Sequence, residues 1–160
     1  METTTIIQLA CVAGLTLVAT ATDLKNRRIP NWLTVSAAVL GLVFHVATAG
    51  VAGLWFSLGG FGVGFGILFV LWLIGGGGGG DVKLMGAVGA WVGPMNALLI
   101  FVLSPLFALV CLGGVMMYGA YKNSAADEPK TNVLKKTIPY AVPCGLSTWS
   151  ILLVRIFVQN

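Results

Sequence analysis

Charged residues divide the chain into four long apolar stretches. No Asp, Glu, Lys or Arg occurs within residues 5–22, 29–80, 84–121 and 137–154. A helix that crosses a bilayer needs ~20 predominantly apolar residues. The first and last stretches therefore predict one helix each. The two longer stretches predict two helices each, with Gly93-Pro94 providing the turn within the third stretch. The pattern predicts an all-α, polytopic membrane protein with six transmembrane helices.

Composition supports a membrane protein. Hydrophobic residues make up 58% of the chain, charged residues make up 9%, and the mean hydropathy is +0.96. In lipid, backbone N–H and C=O groups must be paired within the protein, which favours helices. There is no internal repeat, and residues 1–160 are expected to form a single membrane-embedded domain. The three cysteines, Cys11, Cys111 and Cys144, form no CxxC pair, which favours packing roles over a zinc site or a disulfide.

The basic residues indicate how the protein is oriented. In a six-helix topology, eight of the nine lie on one side of the membrane, and only Arg155 lies near the end of the last helix. The eight are Lys25, Arg27, Arg28, Lys83, Lys122, Lys130, Lys135 and Lys136. The positive-inside rule makes their side cytoplasmic, so both termini are expected outside.

Two of the five acidic residues stand out. Glu2, Asp127 and Glu128 lie in a terminus or a polar loop, whereas Asp23 ends the first predicted helix and Asp81 begins the fourth. The predicted topology places both on the cytoplasmic side at one depth. Separately, Asp81 could be a helix N-cap and Asp23 a solvated flank beside basic neighbours. Together, in a chain with so few acids, they favour a functional site.

Two carboxylates close together in a poorly hydrated site share one proton, which is how aspartic peptidases are equipped. The ionised carboxylate would take a proton from a water molecule that attacks a peptide carbonyl. The protonated one would hydrogen-bond the oxyanion and then protonate the departing amine. This chemistry needs neither a metal nor another cofactor.

Glycines recur around these aspartates. In the third and fourth predicted helices they indicate close helix packing. The run at residues 75–80, directly before Asp81, would let an extended peptide lie against the backbone. A flexible turn between two helices is the alternative.

Three other residues have more than one interpretation. Lys83 could favour the ionised form of Asp81, or it could anchor the topology by reaching the interface. Tyr140 could donate a hydrogen bond at the site or belong to the interfacial aromatic belt. His45 is the only histidine. It lies opposite the proposed site and is interpreted as a packing or interfacial residue, without a metal.

The sequence around both aspartates resembles a known family. Gly78-Gly79-Gly80-Asp81 fits the GxGD motif of membrane aspartic peptidases, and GGDVKL, residues 79–84, is similar to its form in prepilin peptidases. DLKNRRIPN, residues 23–31, resembles the first-aspartate motif of prepilin peptidases, and IPYAVP, residues 138–143, resembles their pattern at the last helix. GxGD alone is shared with presenilin-like peptidases, so the first-aspartate motif is what favours prepilin peptidases.

The resemblance implies an aspartic endopeptidase that cleaves the basic leader preceding the hydrophobic helix of type IV prepilins or pseudopilins. It would act at the cytoplasmic face of the bacterial inner membrane, with Asp23 and Asp81 as the catalytic pair. Candidates for substrate binding or site shaping are Gly78, Gly80, Lys83, Pro139, Tyr140 and Pro143. Expected partners are the precursor, the bilayer and the pilus-assembly machinery, with no nucleic acid.

Chain length bears on a second activity. Longer members of this family carry a cytoplasmic insertion, often with paired cysteines, and also methylate the new pilin N-terminus. This chain has neither feature and looks like the short branch that serves Flp/Tad-type pili. We therefore expect no N-methyltransferase activity.

Two alternatives belong to other functional classes. A proton or ion transporter would need polar groups across the whole bilayer, whereas these acids cluster at one face. A noncatalytic pilus-assembly subunit would bind leaders without cutting them, and Asp→Asn replacement would separate it from a peptidase.

Overall fold

The computed structural model describes residues 3–75, 78–124 and 141–159, which are almost entirely helical. The helices are α1 (Thr3–Asn26), α2 (Asn31–Leu73), α3 (Gly79–Val92), α4 (Pro94–Ser124) and α5 (Ala141–Gln159). By length and composition, α1, α2 and the Pro94–Gly114 part of α4 could each cross a membrane, and the Ala141–Val154 part of α5 is apolar but shorter. The prediction of an all-α membrane protein is confirmed.

α2 consists of two arms, residues 31–49 and 51–73, that fold back on each other. Helical geometry breaks at Gly50, which has φ 60° and ψ −136°, a conformation that glycine adopts more readily than other residues. Across the two arms, the ring centroids of His45 and Phe56 lie 4.9 Å apart. Ala38 and Phe61, further along, line the same cavity. The arms are the two helices predicted within residues 29–80.

α3 is the central helix of the bundle. Residues 84–92 are all buried, and each of the other four helices contacts α3. Glycines let the second arm of α2 lie directly on it. A Cβ on Gly60 would lie 2.0 Å from the Gly89 carbonyl oxygen, and one on Gly64 would lie 2.4 Å from that of Met85. The close packing expected at these glycines is confirmed.

Side chains from α1 and α2 cap the C-terminal end of α3. Ser57 Oγ donates to the Ala90 carbonyl at 2.9 Å. His45 Nε2 donates to the Trp91 carbonyl at 3.0 Å, which also accepts from the Gln8 amide. The last carbonyls of a helix have no intrahelical partner, and leaving them unpaired in an apolar interior is costly. His45 is buried, in agreement with its interpretation as a packing residue.

The chain turns between α3 and α4 where the sequence predicts it. Gly93, with φ 81° and ψ 172°, is the C-cap of α3, and α4 starts at the next residue, Pro94. α4 then packs against α2, α3 and α5. This turn returns the chain along the bundle. The end of α1 and the starts of α2, α3 and α5 meet at one end of it.

Candidate active site

Asp23 lies in the last turn of α1 and is only 7% exposed. The helix ends three residues later, at Asn26, and the next residue forms a left-handed cap. Arg27 has a φ of 51°, and its N–H donates to the Asp23 carbonyl at 2.8 Å. Such a cap usually uses glycine, because a side chain at positive φ is strained. The interpretation of Asp23 as a solvated flank is wrong, because the helix end turns its carboxylate inward.

The carboxylate of Asp23 is held by the start of α5. Its Oδ2 accepts a hydrogen bond from the Ala141 N–H at 3.2 Å. The described part of α5 begins at Ala141. A backbone N–H that donates to a carboxylate stabilises negative charge there.

Two further hydrogen bonds fix α5 against α1 next to this contact. Thr20 Oγ1 donates to the Ala141 carbonyl at 3.2 Å. One helical turn deeper, Trp149 Nε1 donates to Thr16 Oγ1 at 3.0 Å. These two contacts help to hold the Asp23 carboxylate and the Ala141 N–H together.

Asp81 lies at the third position of α3 rather than at the N-cap. The N-cap is Gly78, with φ −93° and ψ 140°. Its N–H donates to Asp81 Oδ2 at 3.1 Å, so the acid reaches back to cap its own helix. A Cβ on Gly78 would lie 3.0 Å from that same oxygen. The capping role expected for Asp81 is real, but it is exercised from inside the helix, and it occupies Oδ2.

Both carboxylates line one cavity of about 480 Å³. Its lining also includes Arg27, Arg28, Ile29, Asn31, Gly78, Gly79, Gly80 and Lys83. The cavity is thus built by the end of α1, the loop that follows and the starts of α2 and α3. Its volume is within the usual range for ligand-binding clefts. Among the residues that the structure describes, no three His, Cys, Asp or Glu side chains are grouped as metal ligands.

Lys83 turns toward α2. Its Nζ donates to Asn31 Oδ1 at 2.9 Å, although it shares the cavity with both aspartates. This bond links the start of α3 to the start of α2. The sequence indicated Lys83 as a candidate but gave no sign of Asn31 as its partner.

The other candidates differ in how the structure places them. Gly80 has room for a side chain, since a Cβ there would lie 3.6 Å from Ile29 Cβ, an ordinary contact. Pro143 is buried in the first turn of α5, where its missing N–H costs no helical hydrogen bond. Pro139 and Tyr140 lie outside the described residues. Ala141 was missed, because it contributes a backbone N–H that no side-chain pattern reveals.

Comparison with known proteins gives a family. The model of the type IV leader peptidase family matches residues 10–113. The match covers well over half of the chain and includes both aspartates and the glycines before Asp81. A search of curated proteins gives no match.

Proposed function

Because this chain belongs to the type IV leader peptidase family and is therefore an aspartic peptidase of the prepilin peptidase type, we propose that Asp23 and Asp81 are its catalytic pair. The observation that carries the proposal is that these two acids, from separate helices, line one cavity. They are also the acids in the two motifs that resemble the family.

The two carboxylates have similar surroundings. Asp23 accepts a hydrogen bond from the Ala141 N–H, and Asp81 accepts one from the Gly78 N–H. We infer that the pair shares one proton. The ionised carboxylate takes a proton from the attacking water, and the protonated one hydrogen-bonds the developing oxyanion. That proton then passes to the departing amine, and water's second proton remains on the new carboxyl group.

The contacts also support six crossings with both termini outside. The end of α1 and the starts of α2, α3 and α5 meet at the cavity, and Trp72, near the end of α2, lies beside Gly79. The arms of α2 therefore leave this face and return to it. α3 leaves again, and α4 must return before α5 can begin there. Arg27, Arg28 and Lys83 line the cavity, which favours a cytoplasmic site in the bacterial inner membrane.

Within the family, we assign the chain to the short branch that processes Flp-type prepilins or pseudopilins. The substrate is a precursor with a short basic leader followed by an apolar helix, and the pilus-assembly machinery would be a further partner. The single domain lacks the cytoplasmic insertion of longer members. It therefore releases a pilin whose new N-terminus is not methylated.

The test is cleavage of a prepilin by the purified protein in detergent, followed by N-terminal sequencing and mass measurement of the product. Asp23→Asn and Asp81→Asn are each expected to lower the cleavage rate at least about 1,000-fold, as loss of a catalytic group does. Asp127→Asn, an acid outside the described residues, is the matched control and should cleave normally.

Each alternative predicts a different result. A noncatalytic assembly subunit would give no shortened product with the wild-type chain. A methyl group on the product in the presence of S-adenosylmethionine would overturn the assignment to the short branch.

A further inference from the structure

An apolar cleft runs along α2 directly from the catalytic cavity. Its first part, of about 430 Å³, lies between the two arms and α3. It shares Asn31 and Lys83 with the cavity that holds both aspartates. The hydrogen bond between these two side chains therefore lies at the junction. We refer to this cleft, with its deeper continuation, as the α2 cleft.

The α2 cleft continues toward the middle of the bundle. A second part, of about 180 Å³, shares Ala38, Val39 and Phe61 with the first and reaches Leu42. From Asn31 to Leu42 a helix rises by ~16 Å, which is about half of the hydrocarbon thickness. The cleft is therefore long enough for roughly three turns of a second helix.

The two arms line the α2 cleft with side chains of different size. The first arm offers the short side chains of Thr34 and Ala38. The second arm offers Phe61 and Phe65, whose rings stack at 5.3 Å with an interplanar angle of 12°. The Phe61 ring and the Phe65 Cβ lie close to α3 because residue 86 is glycine, where a Cβ would come within 3.1 Å of each. Close packing of the second arm on α3 thus leaves the open space on the side of the first arm.

Polarity changes along the α2 cleft in one direction. Asn31, Thr34 and Lys83 lie at the end next to the aspartates, and Val39, Leu42 and Phe61 lie deeper. A polypeptide that leaves a peptide-bond site and enters the membrane meets polar groups first and apolar groups afterwards, which is the order found here. A lipid with its headgroup at the interface would meet the same order. The lining residues that the cleft shares with the cavity of the two aspartates are what favours a polypeptide.

A groove elsewhere in the molecule provides a comparison. α1 and α5 form an apolar groove of about 420 Å³ that includes Leu17 and Trp149. It has a similar size, but it shares no lining residue with the catalytic cavity. Of the two, the α2 cleft is the one that shares lining residues with the cavity of the two aspartates.

We propose that the α2 cleft binds the apolar segment that follows the scissile bond of the substrate. The inference rests on the proposed peptidase function, because it assumes a substrate with its cleavable bond next to an apolar helix. Binding in the cleft holds that helix beside α2, so that only the residues at the junction have to unwind. Recognition is then by shape and apolar contact along the segment, in addition to the residues next to the cleaved bond.

Filling the α2 cleft tests the proposal. Val39 lines both parts of the cleft and is 54% exposed, so Val39→Trp narrows it without entering the core. Val43→Trp is the matched control, since Val43 is one turn further on the same helix, is 58% exposed and lines neither part. Two substrates are compared: a full prepilin, and a peptide that ends a few residues after the cleaved bond.

The expected result is a change in selectivity. Val39→Trp should lower kcat/KM for the full precursor about tenfold relative to the short peptide, as blocking an apolar pocket does. Val43→Trp should keep the wild-type ratio. Equal ratios for both variants would overturn the proposal. If Val39→Trp does not fold, Val35→Trp takes its place, because Val35 also lines the cleft and is exposed.

Binding can be measured separately from cleavage. In the Asp81→Asn variant, a benzophenone amino acid at position 61 should cross-link to the apolar segment of the precursor, and one at position 17, in the α1–α5 groove, should not. Cross-links from position 61 to lipid alone, or cross-links to precursor only from position 17, would contradict the proposal. Cross-linking at position 61 combined with no cleavage by the wild-type chain would instead contradict the proposed function.

Discussion

The two ends of α3 differ in burial and in hydrogen bonding. At its C-terminal end, the carbonyls of Ala90 and Trp91 are paired with side chains from neighbouring helices, and every residue there is buried. At its N-terminal end, Gly78 and Gly79 are exposed, and Asp81 accepts a capping hydrogen bond from Gly78. The comparison shows a helix that is held firmly at one end, while its other end, with Asp81, opens onto the cavity.

The largest effect on stability is expected where α3 packs directly against the backbone of α2. A Cβ at residue 89 would lie 2.2 Å from the Gly60 carbonyl oxygen. Gly89→Ala should therefore lower the free energy of unfolding by about 3 kcal/mol, the upper part of the range for overpacking. Thermal unfolding in detergent measures it. Gly62→Ala, at a position with open space, is the control and should be neutral or slightly stabilising.

At the N-terminal end of α3, an added methyl group should lower the cleavage rate rather than the stability of the fold. Gly78→Ala places a Cβ 3.0 Å from Asp81 Oδ2 and must displace the carboxylate. We expect kcat to fall about tenfold, with little change in thermal unfolding. The carboxylate has to shift by a few tenths of an ångström, whereas a displacement of about 1 Å costs about a hundredfold. Gly79→Ala has room beside Trp72 and should retain most of its activity. Similar activities for the two variants would show that Asp81 is not displaced.

The start of α5 is expected to contribute less than the catalytic groups themselves. Ala141→Pro removes the N–H that bonds Asp23, because proline has no backbone N–H. We expect about a tenfold lower kcat, the lower part of the range for a hydrogen bond to a charged group. Ala141→Gly keeps the N–H and should remain near wild type. Equal rates for the proline and glycine variants would show that this N–H does not matter to catalysis.

The smallest effect is expected when one side-chain hydrogen bond to the C-terminal end of α3 is removed. Ser57→Ala leaves the Ala90 carbonyl unpaired, and Pro94, four residues on, has no N–H to replace the hydroxyl. The free energy of unfolding should fall by about 1 kcal/mol. The rate per folded molecule should stay unchanged, as judged by titration of active sites. Ser36→Ala is the control, because Ser36 is exposed and bonds only within its own helix turn.

Much of this architecture follows from the apolar pattern. The stretch at residues 29–80 was long enough to require a fold-back, and Gly93-Pro94 marked the turn after α3. The position of the fold-back at Gly50 was not predicted, since the chain offers glycines throughout this region. The apolar pattern predicts the lengths of the helices. It does not predict which glycine forms the hinge, because that depends on which other glycines pack against α3, as Gly60 and Gly64 do.

The sequence predicted which two acidic side chains lie together at the candidate site. Scarcity of acids and the order of crossings brought Asp23 and Asp81 to one face, and the structure places both at one cavity. What could not be predicted is how they are held. Ala141 acts through its backbone, and Arg27 adopts a left-handed conformation that its sequence context does not favour. These features depend on tertiary contacts made by helix ends.

The burial of α3 bears on the depth of Asp81, the proposed catalytic acid. A helix of 14 residues is ~21 Å long and would suffer hydrophobic mismatch if lipid surrounded it. Other helices surround the buried residues of α3, and glycine contacts join it to the second arm of α2. We therefore expect thicker or thinner bilayers to tilt the outer helices and to leave the depth of Asp81 unchanged.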